Sequence, residues 1–474
     1  MSRHIHADYK QPMLFPLSVE DWIGPDHPAR FVRARVDAMD LKALGFRVAG
    51  DGAGRPAFSD ELLLKVVLYG WMTKIRSARA IEQACRDVMP MIWLSGKTEP
   101  DHNTIWRFLK RSEKALQKVF RLTVTLASEL GLVSMVMNAL DGTKIPAVSS
   151  MESGDHAASL KRRAEKLEAA IKETYADIQR EIDEAKDLPS DRLPEELRTK
   201  QALKAKIDEK LAQLEKAGRN HMNPNEPEAE VLKLRGGKKE FGYNAQTVVD
   251  AKARIIVAQE VVTDANDQKQ LVPMIQKAEE TVGRRADVTL ADSGYHTGTA
   301  IEQAEQTGLN ILVNEPRGPS RDDGDVDLSH KQFKYDEAQD SCQCPTGPML
   351  DLERAEKTNK QGIPVKVFRC HHGATCPLAA ICSTDKRGRS IEIAPFHGAV
   401  ERQRAKRNGP EGRALIKQRG SLVEQPYADI KSTLGFWRFT HWGLAGAKLQ
   451  WALGCAVYNL RRLMKLTWKP AVVM

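Results

Sequence analysis

The stretch from Phe241 to Asn314 constrains the fold more than any other part of the chain, because its hydrophobic period changes in a fixed order. FGYNAQTVVDA and RIIVAQEVVTD are extended runs joined by a turn, and QKQLVPMIQKAEETV then follows with helical spacing. DVTLAD is extended, TGTAIEQAEQTG helical and LNILVN extended again. Adjacent extended runs predict an antiparallel pair, whereas strand–helix–strand repeats predict parallel strands with crossover helices. Together they predict an α/β fold, a mixed sheet with helices packed on it. At 474 residues the chain exceeds what one ordinary core organises, so further domains or large insertions are expected around that sheet.

The flanking segments supply them. Residues 1–125 read as short helices, with Ser59 in an N-cap position and Asp101-His102-Asn103-Thr104 opening the helix PDHNTIWRFLKRSEKALQKVF. That helix exposes Arg107, Lys110 and Arg111, which fits a helix-turn-helix-like DNA-binding domain; three-helix packing without DNA gives the same pattern. In residues 126–157, VSMVMNALDGTKIPAVSS predicts a strand over 133–141, a turn at Asp141-Gly142 and a second short strand, the first part of the core. In residues 158–220, Leu160, Leu167, Ile171, Ile178 and Ile182, then Leu203, Ile207, Leu211 and Leu214, form a coiled-coil seam on either side of LPSDRLPEEL. The expected object is an antiparallel helical hairpin inserted into the fold. Residues 221–313 hold the second part of the core, 314–400 are turn-rich, and 401–474 return to helix.

Lys and Arg number 72 against 63 Asp and Glu, a net charge of +9, and the excess is uneven. Between Glu401 and Arg462 the chain carries Arg402, Arg404, Lys406, Arg407, Arg413, Lys417 and further basic residues. Such a segment points to a polyanionic partner, most simply nucleic acid, although a solvated helical face would give the same count. Apolar runs such as VVLYGWM fall short of the roughly 20 residues a membrane span needs. MSRHIHADYKQP offers no apolar stretch for a secretion signal, so a cytoplasmic protein is expected.

Five of the seven cysteines fall between Cys342 and Cys382, which in a reducing compartment favours a metal over disulfides. Cys344, Cys370, Cys376 and Cys382, with His371 or His372 as substitutes, are candidates for a structural Zn²⁺ site. Their spacing departs from paired C-x₂-C knuckles, and reduced thiols in a loop-rich insertion are the alternative. GFWRFTHWG packs four aromatics around Arg438 and His441; most read as core, with Trp437 or Trp442 available to stack on an unpaired base.

Two acids stand out. The strand 133–141 is expected to end at Asp141 and the strand 287–292 at Asp292, and ligands of α/β sheets gather beyond the carboxyl ends of strands. Each acid alone is an ordinary turn or cap. On neighbouring strands, carboxylates ~4 Å apart repel by about 4 kcal/mol at an effective dielectric near ~20. A divalent, oxygen-preferring cation such as Mg²⁺ offsets that, and a pair of such ions ~3.5–4 Å apart serves in-line attack on a phosphodiester. A third carboxylate is then required. Glu424 in RGSLVEQPYADIKSTLGF qualifies if a helix begins near Leu422 or Val423, since Pro426 is tolerated only in a first turn. Lys431 lies seven residues on, two turns and roughly 10 Å along the same face, within reach of a neighbouring phosphate. Glu401 and Glu411 also remain open as the third acid.

PDHNTIWRFLK, LDGTKIPAVSS, FGYNAQTVVD, DANDQKQLVPM, LADSGYHT, VEQPYADIK and AVYNLRRL, in that order over most of the chain, resemble the DDE transposases of bacterial insertion sequences. The resemblance implies an RNase H-like core with a mixed five-stranded sheet and flanking helices. It also implies that Asp141, Asp292 and Glu424 form the catalytic triad and that Mg²⁺ (or Mn²⁺), as two ions, is the cofactor. Residues 1–125 would recognise terminal inverted repeats, with target DNA as a second partner. A homodimer or larger synaptic complex at the bacterial nucleoid would be the acting form. One departure concerns the Tyr-Arg-Glu-Lys signature, which puts arginine four residues before the glutamate; this chain has Gly420 there and Arg419 five before. On a continuous helix five residues lands ~140° away rather than ~40°, which leaves Arg419 a less defined DNA contact than Lys431. A non-catalytic DNA-binding derivative and an RNase H-like nuclease without strand transfer are the competing functions.

Overall fold

A computed structural model describes residues 18–47, 57–152, 154–184, 195–216, 218–223, 225–316, 332–359, 362–371, 376, 382–383, 385 and 387–468. The strands of its first part are β1 (Met137–Pro146), β2 (Asp155–His156), β3 (His221–Met222), β4 (Glu230–Lys233), β5 (Lys239–Asp250), β6 (Ile256–Val262), β7 (Val288–Ala291) and β8 (Ile311–Val313). Six of these build one mixed sheet in the order β4-β5-β1-β7-β8, with β6 also paired to β5. β5 is antiparallel to β1, β4 and β6, while β1, β7 and β8 run parallel. The expected sheet had five strands; β4 is the sixth, a four-residue edge segment too short to show an alternating pattern.

β5 is buried from Glu240 to Asp250 with no alternation, as a strand covered on both faces must be. Helices Leu271–Val282 and Gly443–Thr467 pack on β6, and helix Pro410–Ala428 crosses β1, β7 and β8. The helices Asp60–Met72 and Glu113–Glu129 pack on Gly443–Thr467, so the N-terminal helices and the sheet share one continuous core. Asn459 ties the two together, donating to the Thr123 hydroxyl (3.1 Å) and to the Ile256 carbonyl (2.9 Å). Ser59 and Asp101 cap their helices as expected, accepting from the Leu62 and Thr104 amides. The long helix expected after Asp101 is broken at Ser112 into His102–Arg111 and Glu113–Glu129.

Helices Ala157–Glu184 and Glu195–Lys216 pack against each other, with Leu160, Ile207 and Leu214 buried and Leu167 and Leu211 partly so. Lys204 faces Glu168 while Lys210 faces Asp155, the pairing order of an antiparallel hairpin. Leu203 is exposed and leaves the seam; the side chains of Ile178 and Ile182 lie outside the described residues, as does most of LPSDRLPEEL.

The turn-rich reading of residues 314–400 is corrected by a five-stranded antiparallel sheet. Its strands are β9 (Lys334–Asp336), β10 (Ser341–Gln343), β11 (Met349–Thr358), β12 (Pro364–Arg369) and β13 (Ser390–Ile393), in the order β13-β12-β11-β10-β9. β11, DLERAEKT over its last eight residues, is exposed almost throughout, so no apolar alternation marked it as a strand.

Candidate active site

β1 does not turn at Asp141-Gly142. It continues to Pro146, paired with β5 in unbroken register, Asp141 opposite Thr247 and Gly142 opposite Gln246. The Asp-Gly signal misled because this glycine serves close packing, not a turn: a Cβ on Gly142 would collide with Asp267 Oδ1 and Gln246 Nε2. On its other edge β1 pairs in parallel with β7, Ala139 opposite Leu290. Two residues further on, that register brings Asp141 beside Asp292, just past the end of β7, which stops at Ala291. Asp292 turns the chain, its Oδ1 accepting from the Gly294 amide at 2.8 Å.

Between these acids lies Arg419. Its Nη1 is 3.7 Å from Asp141 Oδ2 and its Nη2 is 3.4 Å from Asp292 Oδ2, with the Arg419 side chain 14% exposed. Burial pushes the Asp141 carboxyl up to about 7; Arg419 opposes the shift, Asp292 adds to it, the Gly142 amide opposes it and Asp267 adds again. Acids crowded at a strand end with one guanidinium between them are a donor set suited to a hard divalent cation.

The helix bearing Arg419 differs from expectation. It runs unbroken from Pro410 to Ala428, with Gly420 inside it and Pro426 near its end, rather than starting at Leu422 or Val423. Pro426 costs one backbone bond there, and a π-turn over Asp429–Thr433 follows. Leu422, Val423, Pro426 and Tyr427 are buried. Tyr427 anchors the helix to β1: its hydroxyl donates to the Asp141 carbonyl (2.6 Å) and accepts from Thr247 (2.9 Å). Lys431 donates to the Thr143 hydroxyl at 2.6 Å, two residues beyond Asp141.

Glu424 lies between Arg419 and Tyr427 along this helix but is exposed, and a Cβ on Gly420, one turn back, would stand 3.5 Å from its Oε1. Glu401 is on the preceding helix and pairs with Arg404. Glu411 stands in the first turn, 13 residues before Glu424 and so about 20 Å away along the axis, near the end where Leu415 and Ile416 pack on Val288, Leu290 and Leu312.

The other candidates separate. Arg107 and Lys110 are exposed, Lys110 lying 5.0 Å from the exposed Trp106 ring, but Arg111 pairs with Asp60, which is 3% exposed. Phe436 and Phe439 are fully buried, whereas Trp437 and Trp442 are 61% and 54% exposed. Their loop borders the end of β1, with the Phe439 amide on the Pro146 carbonyl (3.0 Å) and Arg438 on the Ala147 carbonyl (2.6 Å).

Among the described residues, no three His, Cys, Asp or Glu side chains stand together as a group that could hold a metal ion. Cys344, Cys370, Cys376 and Cys382, the expected zinc ligands, are all free of disulfides. Cys344 and Cys370 follow different strands, and the Cys344 thiol sits 3.1 Å from the Thr346 hydroxyl. Burial raises the Cys382 thiol, Arg389 opposing and the thiols of Cys344, Cys376 and Cys370 adding, so the four sulfurs are neighbours. His371 is exposed, 3.9 Å from Asp351, and His372 lies outside the described residues.

Sequence reading missed Asp267, although DANDQKQLVPM contains it; a single acid in a loop carries no periodic signal.

Residues 343–464 match the family model described as Transposase DDE domain, and residues 17–111 match that described as Transposase domain (DUF772). The first match holds Arg419, Glu424 and Lys431; Asp141 and Asp292 fall between the two. No curated protein matches the chain. Among the described residues, no helix is long and apolar enough to cross a membrane.

Proposed function

The chain belongs to the DDE transposases of insertion sequences, and on that premise we propose that it binds the terminal inverted repeats of its element, cleaves there and joins the freed 3′-hydroxyl to target DNA. The observation that carries this reading is the placement of Asp141 and Asp292 side by side on parallel strands, with one cationic side chain between them. The order β6-β5-β1-β7-β8, with β1, β7 and β8 parallel, supports an RNase H-like core interrupted by the helical hairpin and by the second sheet.

Asp141, Asp292 and Glu424 are the residues that would hold Mg²⁺ or Mn²⁺, which when bound activates a water or 3′-hydroxyl and steadies the leaving oxygen. The remaining work belongs to the chain. Tyr427 fixes the helix that carries Glu424 to the backbone of Asp141 itself, so the helix follows β1. Glu424, exposed on that same helix, is the third acid. Arg419 balances the two aspartates and is the guanidinium that would turn to a DNA phosphate at this site. Lys431, beside Thr143, holds the phosphate next to the scissile bond as a point charge. Arg107 and Lys110 meet the backbone of the inverted repeat, and the acting form is a dimer or larger complex that pairs two ends.

Purified protein, Mg²⁺ and labelled DNA carrying the ends that flank its own gene, mixed with a target plasmid, test this. Cleavage to a 3′-hydroxyl with covalent joining is the expected result. Binding without cleavage would mean a non-catalytic DNA-binding protein, and cleavage without joining a nuclease.

A further inference from the structure

Asp267, in the loop between β6 and helix Leu271–Val282, touches the backbone behind both aspartates. Its Oδ1 accepts from Asn244 Nδ2 at 2.8 Å and from Gln246 Nε2 at 2.6 Å. Both amides come from β5, and Gln246 is the cross-strand partner of Gly142. A Cβ on Gly142 would collide with Asp267 Oδ1, and one on Gly294 would stand 3.2 Å from Asp267 Oδ2 and 3.0 Å from Asp292 Oδ1. One carboxylate is thus wedged against the residue after Asp141 and the second residue after Asp292.

Gln246 extends the link. Its Oε1 accepts from the hydroxyl of Tyr295, a fully buried side chain in the turn that Asp292 caps. Gln246 also donates to Asn244 Oδ1 at 2.9 Å, so the amide pair is held in one orientation around Asp267. Successive residues of β1 face opposite sides of the sheet, so Asp267 sits on the face that Gly142 presents and not on the face of the Asp141 side chain. It therefore acts on the frame that carries the two acids.

We propose that Asp267 is a positioning residue for the cleavage site, setting the separation of Asp141 and Asp292 through Gly142, Gly294 and Gln246; this rests on the function proposed above. Two requirements follow from one side chain. Glycine is needed at 142 and favoured at 294 because the carboxylate occupies the space a side chain would take. An accepting oxygen, rather than a negative charge, is what Asn244 and Gln246 require at position 267.

The test is Mn²⁺ binding to the full chain, followed by the electron paramagnetic resonance of free Mn²⁺, with end cleavage and DNA affinity measured alongside. Asp267→Ala is expected to weaken Mn²⁺ binding and cleavage about 10- to 100-fold, the usual consequence of losing a group that orients ligands, with DNA affinity unchanged. Asp267→Asn keeps the accepting oxygen and is expected to restore most of both. Gly142→Ala displaces the same carboxylate without removing it and is expected to follow Asp267→Ala, which keeps the test open if the latter folds poorly. Wild-type Mn²⁺ affinity in Asp267→Ala or Gly142→Ala, while Asp141→Asn and Asp292→Asn lose the ion, overturns the positioning role and leaves the proposed function standing. Wild-type affinity in all four overturns both.

Discussion

The Arg419 guanidinium lies 3.4 Å from the Asp292 carboxylate and 3.7 Å from that of Asp141, occupying the gap that a bound cation would otherwise balance. Two partly buried acids held by one arginine lose their compensation when it is removed, and an ion can replace it. Arg419→Ala is expected to lower the melting temperature in chelator and to gain more from added Mg²⁺ than the wild type does. Equal Mg²⁺-dependent shifts in the two proteins would show that guanidinium and ion do not share a place.

The Asp141 carboxyl stands at about 7 against an ordinary 3.8, raised by burial first, with Arg419 opposing the shift and the charges of Asp292 and Asp267 adding to it. Folding favours its neutral form. Its contribution is therefore full below pH ~4 and is lost as pH rises through about 7. In chelator, Asp141→Asn is expected to raise the melting temperature at pH ~8 while leaving it nearly unchanged at pH ~4. A variant less stable than wild type at the higher pH would contradict this.

Tyr427 makes one bond to the Asp141 carbonyl and receives one from Thr247 inside the core. Tyr427→Phe leaves the Thr247 hydroxyl without that acceptor, a cost of about 1–3 kcal/mol. Thermal unfolding should show that loss, with end cleavage falling because the helix bearing Glu424 is no longer pinned to β1.

The loop at the end of β1 divides by exposure. Trp437→Ala and Trp442→Ala should leave the melting temperature unchanged and weaken binding to DNA with an unpaired end by about 1–3 kcal/mol. Phe436→Ala, at a fully buried ring, should instead destabilise the protein by about 3–5 kcal/mol. Equal DNA affinity in both tryptophan variants would remove the stacking role.

In the N-terminal helices, Arg107→Ala should weaken inverted-repeat binding and flatten its salt dependence with little change in stability. Arg111→Ala should act mainly on stability, since it strands the buried Asp60. Fluorescence anisotropy against salt, read with thermal melts, separates the two.

Much of the sheet was legible because β5, β6, β7 and β8 read as extended segments, β5 and β6 joined by a turn and the rest separated by helical periods. Asp141 was placed on the right strand for an incomplete reason: Asp-Gly is a hairpin signal, and only tertiary packing of Asp267 against Gly142 shows why the strand continues. Helix Pro410–Ala428 was read too short because Pro426 breaks helices in isolation, whereas here burial of Val423, Tyr427 and Ile430 carries the chain past it. β11 was unreadable because charged residues fill both of its faces. Asp267 emits no local signal at all, since its partners lie 21 and 23 residues away on β5.

Asp141, Asp292 and Glu424 are proposed to act together, and Glu424 is the exposed member of the three. Single-turnover cleavage of labelled inverted-repeat DNA in Mg²⁺, comparing Glu424→Gln with Glu411→Gln under matched stability and DNA binding, tests it most directly. The expected result is that Glu424→Gln cleaves as poorly as Asp292→Asn while Glu411→Gln cleaves like the wild type. Near-normal cleavage by Glu424→Gln, or its loss in Glu411→Gln alone, would contradict the assignment.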